Sequence, residues 1–160
     1  MSFQLTPEQE MIRLMARDFA RKELEPCAGR WDRDKTFPAE SIRKMGALGL
    51  MGMMVPPEYG GAGAGAVSYS LALQEIAYAC ASTAVTMSVT NLSSDPILQY
   101  GTEDQKSRYL TPLARGEILG AFAVTEPEAG SDPASMTTRA EERNDHYLVN
   151  GAKLFITNGS

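Results

Sequence analysis

The sequence has 160 residues, of which 20 are acidic and 15 basic, giving a formal charge of −5. That length implies one domain or a little more, with room for a real core, and the acidic balance offers no basic surface to nucleic acid or to an anionic membrane. The opening MSFQLTPEQE has neither a basic leader nor an apolar run, and no stretch approaches the roughly 20 apolar residues of a membrane span, so the expectation is a soluble, cytoplasmic protein. Cys27 and Cys80 are the only cysteines; without C-x-x-C spacing they read as free, buried thiols.

In chain order, Thr6, Pro7 and Gln9 have the makeup of an N-cap, a first-turn proline and a capping-box partner. Met11, Ile12, Met15 and Phe19 then recur on one face, and the helix is expected to stop at Pro26. A second helix is predicted from about Ala39 to Leu48, with Ile42, Met45 and Leu48 on one side, before VPPEYGG forces a turn. Val67 to Leu92 is small, apolar and almost uncharged, which predicts one helix buried on several sides at the centre of a bundle. SSDP places Asp95 as the N-cap of a short helix with Pro96 at its first position, ended by Gly101. Thr102 with Gln105 opens a last helix, stopped by Gly116.

After Gly116 the periodicity changes. ILGAFAVT is a strand-like apolar run, SMTTRAEE alternates, and HYLVNGAKLFIT has two strand-like arms joined by Asn150-Gly151, a strong hairpin signal. The fold class expected is α+β: an all-α helical bundle over residues 1–116, then an incomplete antiparallel β domain over residues 117–160. With three or four strands and the last residue, Ser160, directly after one of them, the sheet reads as unfinished and the sequence as a fragment.

Four features are candidates for chemistry. GAGAGA (61–66) matches G-x-G-x-x-G/A, but no strand precedes it and no acid follows about 20 residues later, so an inter-helix loop is the better reading. His146 is the only histidine and sits in the polar turn NDH, so no metal site or histidine-dependent triad can be assembled. Asp95 lies in a stretch poor in charge and is accounted for as a cap. No Lys or Arg stands between Lys44 and Lys106, which disfavours a substrate carrying a second carboxylate there. In TEPEAGSD (125–132), Pro127 and Gly130 keep Glu126, Glu128 and Asp132 out of regular structure, where carboxylates are usually solvated. The useful part is the backbone: a glycine-containing loop after a strand can turn N–H groups and hydroxyls towards an anionic or heteroaromatic ligand.

AFAVTEPEAGSDPASM followed by VNGAKLFITNG resembles the acyl-CoA dehydrogenase flavoproteins, and FQLTPEQEMIRLMARDFA, VPPEYGGAG and ILQYGTEDQKSRYLTPLARGE extend the resemblance along the whole chain. It implies an N-terminal helical domain and about half of a middle β domain, with the C-terminal helical domain lying outside this sequence. It also implies FAD lined by Phe122 to Ser131 and by Phe155, Ile156 and Thr157. Val124 and the Thr125 hydroxyl would meet the flavin ring, Gly130 and Ser131 would sit by the pyrophosphate, and Thr157 would lie near N5. Ser131 would also contact the acyl-CoA, and the three loop acids would perform no proton transfer. Phe155 stands where many members carry tryptophan.

The implied reaction is α,β-dehydrogenation of an acyl-CoA, monocarboxylic and of short or medium chain or alicyclic, with electrons passing to an electron-transferring flavoprotein and a homotetramer as the assembly. The family's glutamate base belongs to the C-terminal domain, so no catalytic residue is assigned here and the fragment alone would be inactive. Oxidase or monooxygenase chemistry on the same fold, and a helical interaction module without flavin, are the alternatives.

Overall fold

In the computed structural model, which describes residues 4–159, the chain divides into two compact units, Met1–Gly120 and Ala121–Ser160. The first unit is helical, and its opening is encoded locally. Thr6 caps α1 (Pro7–Phe19): its side chain accepts from the Gln9 N–H while the Gln9 side chain accepts from the Thr6 N–H. Ala16 and Phe19 are buried, with Ile12 and Met15 packed beside them; Met11, expected on that face, is 64% exposed. Pro26 does not end the helix. A π turn, Ala20–Leu24, in which the Glu25 N–H reaches back to the Ala20 carbonyl, carries the chain into α2 (Glu25–Asp34). The wider turn accommodates a residue that has no N–H to give. Lys35, with φ 52, ends α2.

The second predicted helix is α3 (Ala39–Ala47), with Ile42 and Met45 buried; Leu48, placed on the same side in the sequence reading, is exposed. A 3-10 turn, Leu50–Gly52, buries Leu50 and Met51, and a second, Pro57–Tyr59, leads to Gly60 at φ 81. GAGAGA therefore follows a 3-10 turn. At Gly61 an added Cβ would overlap the Val55 carbonyl, so this glycine serves close packing of two backbone segments.

The single helix expected from Val67 to Leu92 is two helices, α4 (Gly65–Ala79) and α5 (Ala81–Tyr100). They are separated by Cys80 in extended conformation (φ −155, ψ 100). Its thiol receives the Thr83 hydroxyl at 3.1 Å and lies 3.3 Å from the Ser82 hydroxyl, contacts that the uniform composition on either side does not announce. Burial is also one-sided, since Val67, Tyr78, Val85 and Leu92 are exposed. Asp95 and Pro96 lie inside α5 and start no helix. Asp95 is exposed and accepts from the Gln99 side chain at 2.6 Å, while packing of the long helix outweighs the bond that Pro96 cannot make. Gly101 ends α5, and Thr102 with Gln105 forms a complete capping box on α6 (Glu103–Ala114), followed by Gly116 at φ 66.

Leu24, Met45, Leu50, Met51, Ile76 and Met87 are fully buried in the main core, and Val55, Leu110 and Ala114 form a smaller cluster. The long buried face of α5 is mostly polar. Asn91 is its centre: its carbonyl accepts from the Met53 N–H at 3.0 Å, and its amide donates to the Leu50 and Met87 carbonyls at 3.1 Å each. Ser93, Ser94 and Thr90 turn their hydroxyls back to the carbonyls of Val89, Thr90 and Thr86. Arg17 of α1 forks onto Glu75 of α4 with two bonds of 2.9 and 2.6 Å. Among the described residues no helix is long and apolar enough to cross a membrane.

The second unit has one hairpin, β1 (Arg139–Glu142) with β2 (Tyr147–Asn150), which makes the fold α+β. The register pairs Arg139 with Asn150 and Glu142 with Tyr147, and the turn is closed by the Arg143 N–H on the His146 carbonyl at 2.8 Å. Asn150-Gly151 is therefore not the hairpin turn. Gly151 lies against Thr138, whose side chain an added Cβ would overlap, so the glycine answers a close approach. The other expected strands are absent among the described residues. Residues 118–125 join no ladder, and the run after Gly151 is broken by Phe155 at φ 57 and Asn158 at φ 61, where a strand cannot continue.

Candidate functional site

The loop TEPEAGSD is built around one carboxylate. Glu126 is only 5% exposed, which overturns the expectation of a solvated loop acid. Pro127 and Glu128 form the tip of a tight turn in which Glu126 and Ala129 exchange main-chain bonds of 2.9 and 3.2 Å. This turn directs the Glu126 side chain inward. One carboxylate oxygen accepts from the Thr137 N–H at 2.6 Å and from its hydroxyl at 3.0 Å. The other accepts from the Thr138 N–H at 3.0 Å and meets the Lys153 ammonium at 2.9 Å.

Thr138, the Lys153 ammonium and the Thr137 N–H hold the Glu126 carboxyl far below the usual carboxylate range, against the opposing effect of burial. With both oxygens occupied and the charge fixed, it is a poor proton acceptor. A depressed value in the folded state means that its stabilisation is present above the ordinary range near 4.5 and is lost as pH falls below it. Melting temperature measured from pH 7 downwards is thus expected to fall more steeply for the wild type than for E126Q; parallel curves would contradict the arrangement. Asp132 has a local role: it caps a 3-10 turn, Pro133–Ser135, accepting from the Ala134 N–H and the Ser135 hydroxyl. Glu128 is exposed.

Lys153 also joins the two segments singled out in the sequence. Its ammonium donates to the Val124 carbonyl at 2.9 Å, and the Leu154 N–H donates to the Thr125 carbonyl at 2.9 Å. Phe122, Val124 and Thr125 are thereby brought beside the stretch that holds Phe155, Ile156 and Thr157. Phe155 is 91% exposed and Phe122 47% exposed, while Val124, Thr125, Ile156 and Thr157 are half-buried. Gly130 and Ser131 are exposed at the far end of the loop, with open space around the Gly130 Cα. The carbonyls of Val124 and Thr125 are occupied; among the described residues their N–H groups and the Thr125 hydroxyl have no protein partner. This half-buried segment therefore keeps unpaired donors.

The sequence reading missed Lys153 and Thr137. The available signal was slight: Lys153 is the one basic residue in HYLVNGAKLFITNGS, among apolar residues where a cation calls for a partner. His146 is exposed and contacts its neighbour Asp145 at 2.6 Å, and among the described residues no three His, Cys, Asp or Glu side chains gather as a metal set. The helical unit has a separate cleft of about 450 Å³ bordered by Ile97, Tyr100 and Tyr109, with no charged residue in its lining.

The sequence matches the family described as acyl-CoA dehydrogenase, N-terminal domain, over residues 6–117, and acyl-CoA dehydrogenase, middle domain, over residues 121–160. The short-chain specific acyl-CoA dehydrogenase of Clostridium acetobutylicum is 47% identical over 160 residues, covering 99% of this chain and 42% of that protein. Butyryl-CoA dehydrogenase from Megasphaera elsdenii superposes with a TM-score of 0.92 at 41% identity, over 99% of this chain and 43% of that one. A chain solved in work on the electron transferring flavoprotein of Acidaminococcus fermentans gives 0.95 at 42% identity, over 99% and 42%. The sequence spans 42% of the length of the first curated relatives it matches. Matches that run through both units, together with helical and loop geometry shared with those solved structures, place the chain in the acyl-CoA dehydrogenase family.

Proposed function

We propose that the protein serves FAD-dependent α,β-dehydrogenation of an acyl-CoA thioester, with a monocarboxylic acyl group of short or medium chain or alicyclic form, within fatty acid metabolism. Electrons pass to an electron-transferring flavoprotein, and the working assembly is a cytoplasmic homotetramer. The relatives' names support the reaction class, and the helical unit supports the acyl class: α4 and α5 carry no cation, so a second carboxylate there would be uncompensated.

The observation that carries the proposal is the set of unpaired donors on Val124 and Thr125 where residues 122–125 lie beside residues 153–157. A flavin ring offers carbonyl oxygens and ring nitrogens along one side, and the free N–H groups of Val124 and Thr125 with the Thr125 hydroxyl match those acceptors. Gly130 and Ser131, exposed and without Cβ crowding at Gly130, suit the pyrophosphate, and Ser131 contacts the acyl-CoA in this reading. The open faces of Phe155 and Phe122 offer apolar contact, with Ile156 and Thr157 completing that wall. Bound flavin supplies the hydride acceptor for the substrate β carbon; these residues orient the ring and exclude water from it. Glu126, fixed as an anion, orders the loop and takes no proton.

The test is an absorption spectrum of the protein purified from its native reading frame, before and after anaerobic addition of a short-chain acyl-CoA. A flavin spectrum that bleaches is expected. Flavin that stays oxidised across a panel of acyl-CoAs would overturn the dehydrogenase reading, and absence of flavin would overturn the cofactor assignment.

A further inference from the structure

We infer that Lys153 and Glu126 are a positioning pair for the cofactor, setting the orientation of the Val124–Thr125 main chain without touching the cofactor themselves. This rests on the FAD reading above. The geometry is saturated on both sides. The three donor positions of the Lys153 ammonium face the Val124 carbonyl and a Glu126 oxygen, each at 2.9 Å, and the Met136 sulfur at 3.3 Å. Glu126 accepts from Thr137 twice, from Thr138 and from Lys153. An ammonium and a carboxylate whose capacities are so filled have nothing left for a ligand.

The pair is also the meeting point of three chain segments. Among the described residues of 121–159, Ala129 and Glu126 are the only ones buried, and both hairpin strands are exposed throughout. The apolar clusters all lie in the helical unit. Segments 124–126, 136–138 and 153–154 are tied by polar contacts that converge on these two residues. Directional bonds of this kind fix where a carbonyl points more narrowly than apolar contact does. With its carbonyl drawn to Lys153, Val124 joins a peptide whose N–H faces the other way, to the edge assigned to the flavin. Freeing that carbonyl allows the peptide to rotate and removes the alignment of the donors.

The measurement is FAD affinity of the apoprotein by fluorescence titration, with the visible circular dichroism of the bound flavin and the melting temperature recorded alongside, on the protein from its native reading frame. K153M is expected to weaken FAD binding by roughly tenfold or more, the scale on which an outer-shell partner acts on a bound group, and to change the dichroic band of any flavin retained. K153R, which keeps a cation on a long stem, is expected to restore most of the affinity. E126Q, which preserves size and removes the charge, moves affinity in the same direction as K153M and serves if K153M does not fold. E128Q, the same charge change on the exposed neighbour, is expected to bind as the wild type does. Wild-type affinity and band shape in both K153M and E126Q would overturn the pair's role, as would an E128Q loss equal to that of E126Q. A wild-type protein that holds no flavin would instead overturn the cofactor reading on which the pair depends.

Discussion

Gly46→Ala is expected to destabilise the helical unit by about 2 kcal/mol or more, although alanine is the better helix former. Helix propensity favours the change by roughly 1 kcal/mol. Against it, the new Cβ would overlap the carbonyl oxygen and carbon of Arg115, and the Gly116 nitrogen would lie only 3.0 Å away. These are main-chain atoms at the end of α6, held by the Gly116 N–H on Leu113 and the Glu117 N–H on Pro112, so no side chain can swing aside. Overpacking against movable side chains costs about 1–3 kcal/mol, and a rigid neighbour puts this site at or above the top of that range. The clash therefore outweighs the propensity gain. Chemical denaturation of the purified variant checks it; a midpoint equal to or above the wild type's would show that α3 and the end of α6 do not meet backbone to backbone.

Asn91→Ala is expected to cost about 3 kcal/mol, and Asn91→Asp more. Each buried polar group left without a partner costs about 1–3 kcal/mol, and the alanine variant abandons the Met53 N–H and the Leu50 carbonyl together. Aspartate keeps the acceptor but turns a carboxylate towards two carbonyl oxygens in a dry interior, where an unpaired charge is heavily disfavoured. The expected order of melting temperatures is wild type, then N91A, then N91D. If N91D melted with the wild type, the assignment of the amide nitrogen to the two carbonyls would be wrong.

Both capping boxes were legible because every atom involved lies within four residues. Thr6 with Gln9 and Thr102 with Gln105 open α1 and α6 as the spacing predicts. Pro26 and Pro96 misled for the converse reason: the local rule is right about the missing N–H, but a π turn relieves the first and the packing of a 20-residue helix overrides the second. The break at Cys80 had no compositional mark. Asn150-Gly151 is a strong turn signal, but the glycine is required by Thr138, and RNDH makes the turn.

The candidate site divides along the same line. The loop, its glycine and the two segments around it were readable as motifs. The burial of Glu126 was not, because its partners Thr137, Thr138 and Lys153 lie 11 to 27 residues further along the chain, and an acid beside a proline looks solvated until those partners are in place. The loop's position between the two segments was therefore accessible from sequence, whereas the ion pair that ties them emerged only with the fold.

The buried face of α5 has a consequence for how this scaffold accommodates change. Because Thr90, Ser93 and Ser94 bond to carbonyls one turn earlier in their own helix, their hydroxyls ask nothing of the helices around them. At these three positions the contact surface is chemically quiet though made of polar residues, and an alteration in an adjacent segment strands none of the three hydroxyls. Asn91 is the exception, since it alone among these residues reaches across to another segment's main chain. Along Thr90, Ser93 and Ser94 the neighbours of α5 are thus held by shape alone, closely enough that Gly120 has no room for a Cβ beside Ser93, while the strip around residues 50–53 is also tied to it by directed bonds.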